Sequence, residues 1–235
     1  MIIYDGVSLE SVANVKIEDI KVNPIQYDDV TRVRSVSPGS VFVRSRAGTR
    51  TVVVTFALPD DNRINRQGAL LAISQWAKTD KEYKIEFPWN PNMYLMGVCT
   101  SKPEPSLRMW WESKLRLVFT CFDNPFWTSK VEKRFTGNTT NPITIFIDGN
   151  APPLMRIRRV NSAVSNRSYV LDGETISFTS LPAGEMNIDV NRQIVTVNGV
   201  NAMQYYNPSS TFFIPHSGSQ SIQGIGYFYY RERWE

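Results

Sequence analysis

Alternation of apolar and polar residues dominates the chain and predicts a mainly β protein. The clearest case is LRLVFTC, residues 115–121, whose odd-numbered residues are all apolar. Successive side chains of a strand point to opposite faces, so a period of two residues indicates one face on a core. Four further strand-like runs are VFVRSR, TRTVVVTFAL, YKIEF and MYLMGVC. Ala47-Gly48, between the first two of these runs, predicts a hairpin that joins them.

One segment follows the helical period instead. Its apolar residues recur three or four positions apart and form a single stripe: Ala69, Leu70, Ile73, Trp76 and Ala77. Asp61 or Asn62 could cap the first free amides of such a helix. We therefore predict a helix over residues 62–78 that packs on a sheet through this stripe.

The second half of the chain reads as a series of short strands. Gly, Asn, Thr and Pro in FTGNTTNPI predict a linker before them. The strand-like segments are PITIFID, LMRIRRV, SYVL, TISFT, MNIDV, QIVTVNG, TFFIP and GIGYFYYRER. Asp172-Gly173 and Asn198-Gly199 are expected hairpin turns, and this spacing is typical of an all-β sandwich. We predict a β-rich domain with one helix over residues 1–136 and a β-sandwich over residues 137–235.

Charge also differs between the two halves. Residues 1–135 contain 19 basic and 15 acidic residues, whereas the rest contains 7 of each, and every lysine lies in the first part. Hydrophobic residues make up 42% and charged residues 20% of the chain, as in globular proteins. We expect no membrane segment, because no apolar run approaches the roughly 18 residues that span a bilayer. The first residues also lack the pattern of a secretory signal.

The sequence carries no recognisable catalytic or metal-binding motif. Cys99, Cys121 and His216 are the only cysteines and histidine, so a zinc site is not expected. We expect both thiols to be buried and free rather than disulfide-bonded. Phosphate-binding loops, the dinucleotide fingerprint and the GxSxG elbow are all missing from the sequence, and the acidic residues lie at turns and strand ends. We predict a protein that is not an enzyme and needs no cofactor.

Residues 31–50 contain five arginines and no acid. These arginines are Arg32, Arg34, Arg44, Arg46 and Arg50. Three interpretations are open: contact with nucleic-acid phosphates, a solvated strand face, or pairing with acids of a neighbouring subunit. Adjacent aromatic residues, such as Trp110-Trp111 and those of 227–230, point to opposite faces of a strand. Their outward members favour a protein interface over a sugar platform.

The order of motifs resembles the distal tail protein (Dit) family of long-tailed, non-contractile bacteriophages. The motifs are MIIYDGVSL, RSVSPGSVFVRSRAGTRTVVVTFAL, ALLAISQWAKTDK, TCFDNPFWTS, MNIDVNRQIVTVNGVNA and STFFIPHSGSQSI. Together they span nearly all 235 residues. Two departures from the family pattern are the extra Asn124 in the fourth motif and the two residues between Pro and Gly in IPHSG.

The resemblance implies a structural protein of the virion tail, assembled in the host cytoplasm. The first domain would form a hexameric ring whose channel DNA passes without specific binding, and the second would be a galectin-like β-sandwich. The ring would join the tail tube protein to the tail-associated fibre or lysin protein and, in some phages, carry receptor-binding proteins. The five arginines are then candidates for subunit contacts, and Phe126 and Trp127 are expected to pack the junction between the domains.

The alternative function is a carbohydrate-binding β-sandwich for attachment to the host cell surface. A galectin-type sugar site places a Trp beside His, Asn and Arg on one sheet face. The second domain has a single Trp, Trp234, near the end of the sequence. A sugar site of that type is therefore not expected there.

Overall fold

The computed structural model describes residues 1–33, 40–58, 63–103, 114–138 and 141–235, with the backbone alone for 29–33, 40–46 and 63. The chain divides into two compact units, Met1–Trp127 with Glu235 and Thr128–Trp234. Antiparallel β-strands dominate both units. The prediction of a mainly β protein is therefore confirmed.

The first unit contains two antiparallel sheets that share one long strand. Its elements are β1 (Ile3–Tyr4), β2 (Val7–Ser8), α1 (Leu9–Val12), β3 (Lys16–Val22), β4 (Tyr27–Val33), β5 (Ser40–Ala47), β6 (Arg50–Ala57), α2 (Arg63–Trp76), β7 (Tyr83–Phe87), β8 (Asn90–Ser101) and β9 (Leu115–Cys121). One sheet has the order β2-β1-β7-β8 and the other β8-β9-β6-β3. Strands β4 and β5 form a separate two-stranded hairpin.

Helix α2 closes the core of the first unit, as its apolar stripe predicts. Leu70, Ile73 and Trp76 are buried together with side chains of β6 and β9. The indole nitrogen of Trp76 donates a hydrogen bond to the carbonyl oxygen of Val7 at 3.0 Å, so the ring is buried without an unpaired N–H. The proposed capping residues, 61 and 62, lie outside the described residues. The short helix α1 was not predicted.

Two further predictions for the first unit are confirmed. The odd-numbered residues of β9, from Leu115 to Cys121, are all buried. Cys99 and Cys121 are buried free thiols. Burial raises the pKa of the Cys121 thiol to about 12, so it is protonated at neutral pH.

The predicted hairpin at Ala47-Gly48 is wrong. Strand β6 pairs with β3 on one edge and β9 on the other, so it has no free edge for β5. Strand β5 pairs instead with β4, in a register that places Asp28 opposite Arg46. Gly48 allows a close approach to the residue that precedes β4, because a Cβ atom there would lie 2.8 Å from the carbonyl oxygen of Gln26.

The second unit is a sandwich of two antiparallel sheets. Its elements are β10 (Trp127–Ser129), which begins where the units divide, β11 (Lys133–Gly137), β12 (Ile143–Ile147), β13 (Ala151–Asn161), β14 (Ser165–Leu171), β15 (Glu174–Leu181), β16 (Gly184–Asp189), β17 (Ile194–Val197), β18 (Val200–Asn201), β19 (Gly218–Gln223) and β20 (Gly226–Trp234). One sheet has the order β18-β17-β16-β13-β20-β11 and the other β12-β19-β14-β15. Both contribute to one buried cluster that includes Phe178, Ile188 and Phe228.

The strands of this sandwich differ from the predicted ones in three places. Residues 135–137 of the predicted linker belong to strand β11, and residues 218–223, which were not predicted as a strand, form β19. TFFIP is not a strand, although Phe212 and Phe213 are buried. The two compact units divide after Trp127, and the predicted domain boundary after residue 136 stays a prediction. Partner strands have overridden the low strand propensity of Gly, Ser and Gln in these segments.

Both predicted hairpin turns of the sandwich are confirmed. Asp172-Gly173 joins β14 to β15, and Asn198-Gly199 joins β17 to β18. All four turn residues have positive φ, between 48° and 89°. Such turns match the twist of the flanking strands, which explains why Asn-Gly and Asp-Gly predict them well.

We expect the second unit to fold alone only when β11 is included. A fragment of residues 128–234 should unfold cooperatively, because its sheets enclose their own core. A fragment of residues 138–234 lacks the strand that covers one edge of β20 and the ring of Phe135, which stacks on Phe228 at 4.9 Å. Its free energy of unfolding should be lower by about 3 kcal/mol or more. Urea titrations of both fragments, followed by circular dichroism, test this, and equal midpoints would contradict it.

One buried amide in the sandwich should be replaceable with a gain in stability. Gln220 of β19 is 1% exposed, and neither its Oε1 nor its Nε2 has a hydrogen-bond partner in the described part of the chain. Because a buried unpaired amide is unfavourable, Gln220→Met should raise the free energy of unfolding by about 1 kcal/mol. Gln204→Met, at an exposed position of the same unit, is the control and should change it little. A destabilised Gln220→Met would show that the amide is satisfied.

Candidate functional site

The predicted arginines are not all in equivalent positions. Arg32 lies in β4, and Arg44 and Arg46 lie in β5, so these three belong to the hairpin. Arg34 lies outside the described residues. Arg50 is the first residue of β6, in the sheet rather than the hairpin. Subunit contact through these arginines stays a prediction.

Arg50 is buried within the first unit. It is 3% exposed, it lies opposite Cys121 in the ladder between β6 and β9, and its guanidinium carbon lies 6.0 Å from the centre of the Trp127 ring. Its Nε and Nη1 atoms have no hydrogen-bond partner among the described residues. Burial lowers the pKa of this guanidinium. Because only 3% of Arg50 is exposed, it has little surface that a neighbouring subunit could contact.

A groove of about 530 Å³ opens beside Arg50 in the first unit. It is lined by Val22, Asn23, Pro24, Ile25, Tyr27, Arg50, Trp89, Asn90, Trp127 and Glu235. Two of its aromatic rings face solvent, Trp89 at 59% exposure and Tyr27 at 46%. The Tyr27 hydroxyl donates to Glu235 Oε1 at 2.5 Å, and this hydrogen bond raises the pKa of the tyrosine.

Trp89 and Trp127 form the aromatic side of this groove, with the buried Phe87 in contact with both. The turn Pro88-Trp89 joins β7 to β8, which places Trp89 at a hairpin tip. Its ring stacks on the buried Phe87 with centroids 5.1 Å apart, and Trp127 meets both rings edge-on, at 5.6 Å and 5.5 Å. The aromatic side of the groove is therefore anchored on a core residue.

Trp127 packs against side chains of the first unit. It is half-buried and packs against the core cluster of that unit, and it lines the groove through contact with Trp89. Phe126 is also half-buried. Packing of the domain junction by these two residues stays a prediction.

Trp89 was missed by sequence reasoning, and Arg50 was grouped with the hairpin arginines. The signal for Trp89 was available, because a Trp that follows Pro in a tight turn between two strands cannot be buried by either strand. No local signal could have joined Arg50 to Trp127, since 77 positions separate them in the sequence. Their proximity depends on strand pairing.

The lone histidine pairs with an acid in the second unit. His216 Nε2 lies 2.9 Å from Asp172 Oδ2, and Nδ1 lies 2.7 Å from the carbonyl oxygen of Ser217. Both neighbours are hydrogen-bond acceptors, so the ring can satisfy both only when it is protonated. The contacts with Ser217 and then Asp172 raise the pKa of His216. Asp172 Oδ1 also accepts from the backbone N–H of Ser221, which fixes the carboxylate at the β14–β15 turn.

The described residues contain no cluster of three or more His, Cys, Asp or Glu side chains that could hold a metal ion. None of the helices in the described part is long and apolar enough to cross a membrane.

The fold of the chain is similar to that of a solved phage protein. The Dit (gp 19.1) protein of phage SPP1, described as a paradigm of the hub adsorption apparatus in phages that infect Gram-positive bacteria, has a TM-score of 0.77 at 15% identity, over 100% of this chain and 98% of that chain. A chain of the phage P2 baseplate, in its activated conformation with Ca, has a TM-score of 0.47 at 10% identity, over 94% and 91% of the two chains. The second value is too low to support an argument. No protein-family model matches the chain, and no curated protein matches it.

The His216–Asp172 pair should make stability depend on pH. A histidine whose pKa is raised by folding stabilises the protein below its ordinary pKa of 6.5 and loses that contribution as pH rises through the raised value. His216→Gln should therefore lower the thermal midpoint at about pH 5 and leave it nearly unchanged at about pH 9. Asp172→Asn, which keeps a side chain suited to positive φ, should reproduce the effect at low pH. An equal loss at both pH values would contradict a role for the charge.

Proposed function

We propose that the protein is a structural hub component of a phage tail, a ring-forming adaptor without enzymatic activity. The observation that carries this proposal is the likeness to the SPP1 Dit protein over essentially the full length of both chains, with a TM-score of 0.77. This likeness extends over both units of the chain and is not confined to one of them. The order of motifs in the sequence supports the same family.

The β4–β5 hairpin is the feature best suited to join subunits. Its two strands pair with each other and belong to neither sheet of the first unit. A two-stranded ribbon is marginal on its own and presents unpaired backbone edges, so contact with another chain would stabilise it. The segment 40–47 carries Arg44 and Arg46 and no acid. Asp28 of β4 lies opposite Arg46, whereas Val30 lies opposite Arg44, so Arg44 in particular fits pairing with acidic residues of a neighbouring copy.

Exposed apolar side chains on helix α2 also fit an assembly. Leu71 is 62% exposed and Ile64 is 77% exposed. The two residues lie two helical turns apart on the outward side of the helix. Apolar side chains on an outer helical face are unfavourable in water when they are close together. Their burial against a partner would remove that penalty, and we propose a subunit or another tail protein as that partner.

In the complete tail, the ring would join the tail tube protein to the tail-associated fibre or lysin protein and carry receptor-binding proteins. DNA would pass through its channel without specific binding. The protein would be assembled in the host cytoplasm and remain in the virion tail. These assignments rest on the fold likeness and the family resemblance.

The purified protein should be a ring of six copies. Six chains of 26.8 kDa give a particle of about 161 kDa. Multi-angle light scattering measures the mass, and negative-stain images should show a closed ring with a central hole. A monodisperse monomer at tens of micromolar would contradict the proposal.

Charge reversal in the hairpin should dissociate this ring. In the double variant Arg44→Glu and Arg46→Glu, contacts with neighbouring acids become repulsive, at a cost of several kcal/mol per subunit interface. We expect monomers with an unchanged circular dichroism spectrum. The matched control reverses Arg134 and Arg192, both in the second unit, and should keep the ring. Rings that persist in the hairpin variant would contradict subunit contact through these arginines. A steep salt dependence of DNA binding would favour contact with phosphates instead.

A further inference from the structure

The side chains that line the groove beside Arg50 have no net charge. Arg50 is the one cation among these lining residues, and Glu235 is the one acid. The two act on each other through space, and the Glu235 carboxylate also accepts the hydrogen bond from Tyr27. The Nε and Nη1 atoms of Arg50 are buried, so a ligand in the groove does not reach them. A strongly charged ligand therefore gains little here, and the lining suits a neutral one.

Trp89 contributes one open aromatic face to this groove. The other face of its ring is stacked on the buried Phe87, with centroids 5.1 Å apart and an angle of 30° between the planes. Trp89 is nevertheless 59% exposed and lines the groove. Trp127 meets the same ring edge-on, at a centroid distance of 5.5 Å. The indole is thus held in place before a ligand arrives, which lowers the entropic cost of binding.

Hydrogen-bonding side chains lie around this aromatic face. Besides Arg50, four of the ten lining residues carry them: Asn23, Tyr27, Asn90 and Glu235. An amide both donates and accepts hydrogen bonds, and a carboxylate accepts several. A ligand with many hydroxyls and an apolar ring face would use both parts of the groove, because C–H groups are attracted to the electron-rich face of an indole. The volume of about 530 Å³ lies within the range of small-molecule sites.

We infer that this groove binds a neutral saccharide, with one sugar ring stacked on Trp89 and hydroxyls bonded to Asn90 and Glu235. A proline-rich peptide, which also docks in aromatic grooves, fits less well. Proline has no N–H, so such a peptide offers few donors to the Glu235 carboxylate. The inference goes beyond the proposed assembly role and does not depend on it. It places a binding activity in the first unit, whereas the alternative sugar-binding function predicted from the sequence lies in the second.

The test titrates the full chain with three neutral trisaccharides: maltotriose, cellotriose and tri-N-acetylchitotriose. Calorimetry and tryptophan fluorescence should detect binding of at least one of them. Its affinity should change by no more than about twofold between low and high salt, because no charge is neutralised on binding. Sorbitol, which has the hydroxyls of a sugar without its ring, is the matched ligand control and should bind at least about tenfold more weakly.

Substitutions of Trp89 separate ring stacking from general apolar contact. Trp89→Phe keeps an aromatic face and should retain the affinity within about fivefold, whereas Trp89→Leu keeps apolar bulk alone and should weaken binding by about tenfold or more. Because Trp89 is mostly exposed, both variants should fold, and their thermal midpoints are measured in parallel. Phe122→Ala removes a ring of similar exposure, 52%, outside the groove and should bind as the unchanged chain does.

Asn90→Ala tests the same groove independently of the indole and should weaken binding by about threefold or more, through the loss of one hydrogen bond. No binding of any of the three trisaccharides, or binding of sorbitol as tight as theirs, would overturn the inference. Tighter binding of a polyproline peptide, or an affinity that falls steeply with salt, would overturn the neutral saccharide as the ligand. Equal losses in Phe122→Ala and Trp89→Leu would overturn the groove as the site.

Discussion

The first unit depends on the burial of three aromatic rings that belong to three different elements. Tyr4 of β1, Trp76 of α2 and Phe119 of β9 meet with centroids 5.5, 4.9 and 6.0 Å apart. Strands β1 and β9 lie in different sheets, so this contact ties both sheets to the helix. Its polar atoms are satisfied, since the Tyr4 hydroxyl donates to the carbonyl oxygen of Lys78 at 3.0 Å and the Trp76 indole donates to Val7. Large rings with satisfied polar ends give much apolar burial without a desolvation penalty.

Arg50, at the edge of the same core, is buried without hydrogen-bond partners for all of its polar atoms in the described part of the chain. The fold satisfies a buried indole and a buried phenol, yet the Nε and Nη1 atoms of Arg50 have no hydrogen-bond partner among the described residues. Stability alone would favour an apolar residue at this position, because replacing a buried charge by a hydrophobic side chain is often neutral or stabilising. Residues that lower stability tend to occur at functional positions. The exposed ring of Trp89, beside the same groove, is a second such choice.

Sequence alone predicts what depends on local periodicity. The stripe of α2, the alternation in β9 and the turns at Asp172 and Asn198 are each set by side chains within one segment, and each is confirmed. The pairing of β5 with β4, and strands β11 and β19, depend on which edge is free elsewhere in the fold. Ser, Gly and Gln carry little strand preference, so β19 becomes visible only beside β12. The groove is harder still, since its residues come from distant strands and a turn.

The likeness to the SPP1 Dit protein, with a TM-score of 0.77 at 15% identity, shows that two very different sequences can form similar folds. Patterned strands, turn residues and a filled core can be supplied by many sequences, so an architecture can persist while nearly all residues differ. Side chains on open surfaces are under no such constraint from the fold. The likeness therefore concerns the fold of the chain, whereas the chemistry around Arg50 must be argued from its own residues. Tyr27 of β4 lines the groove beside Arg50, so the β4–β5 hairpin and the groove are adjoining parts of the first unit.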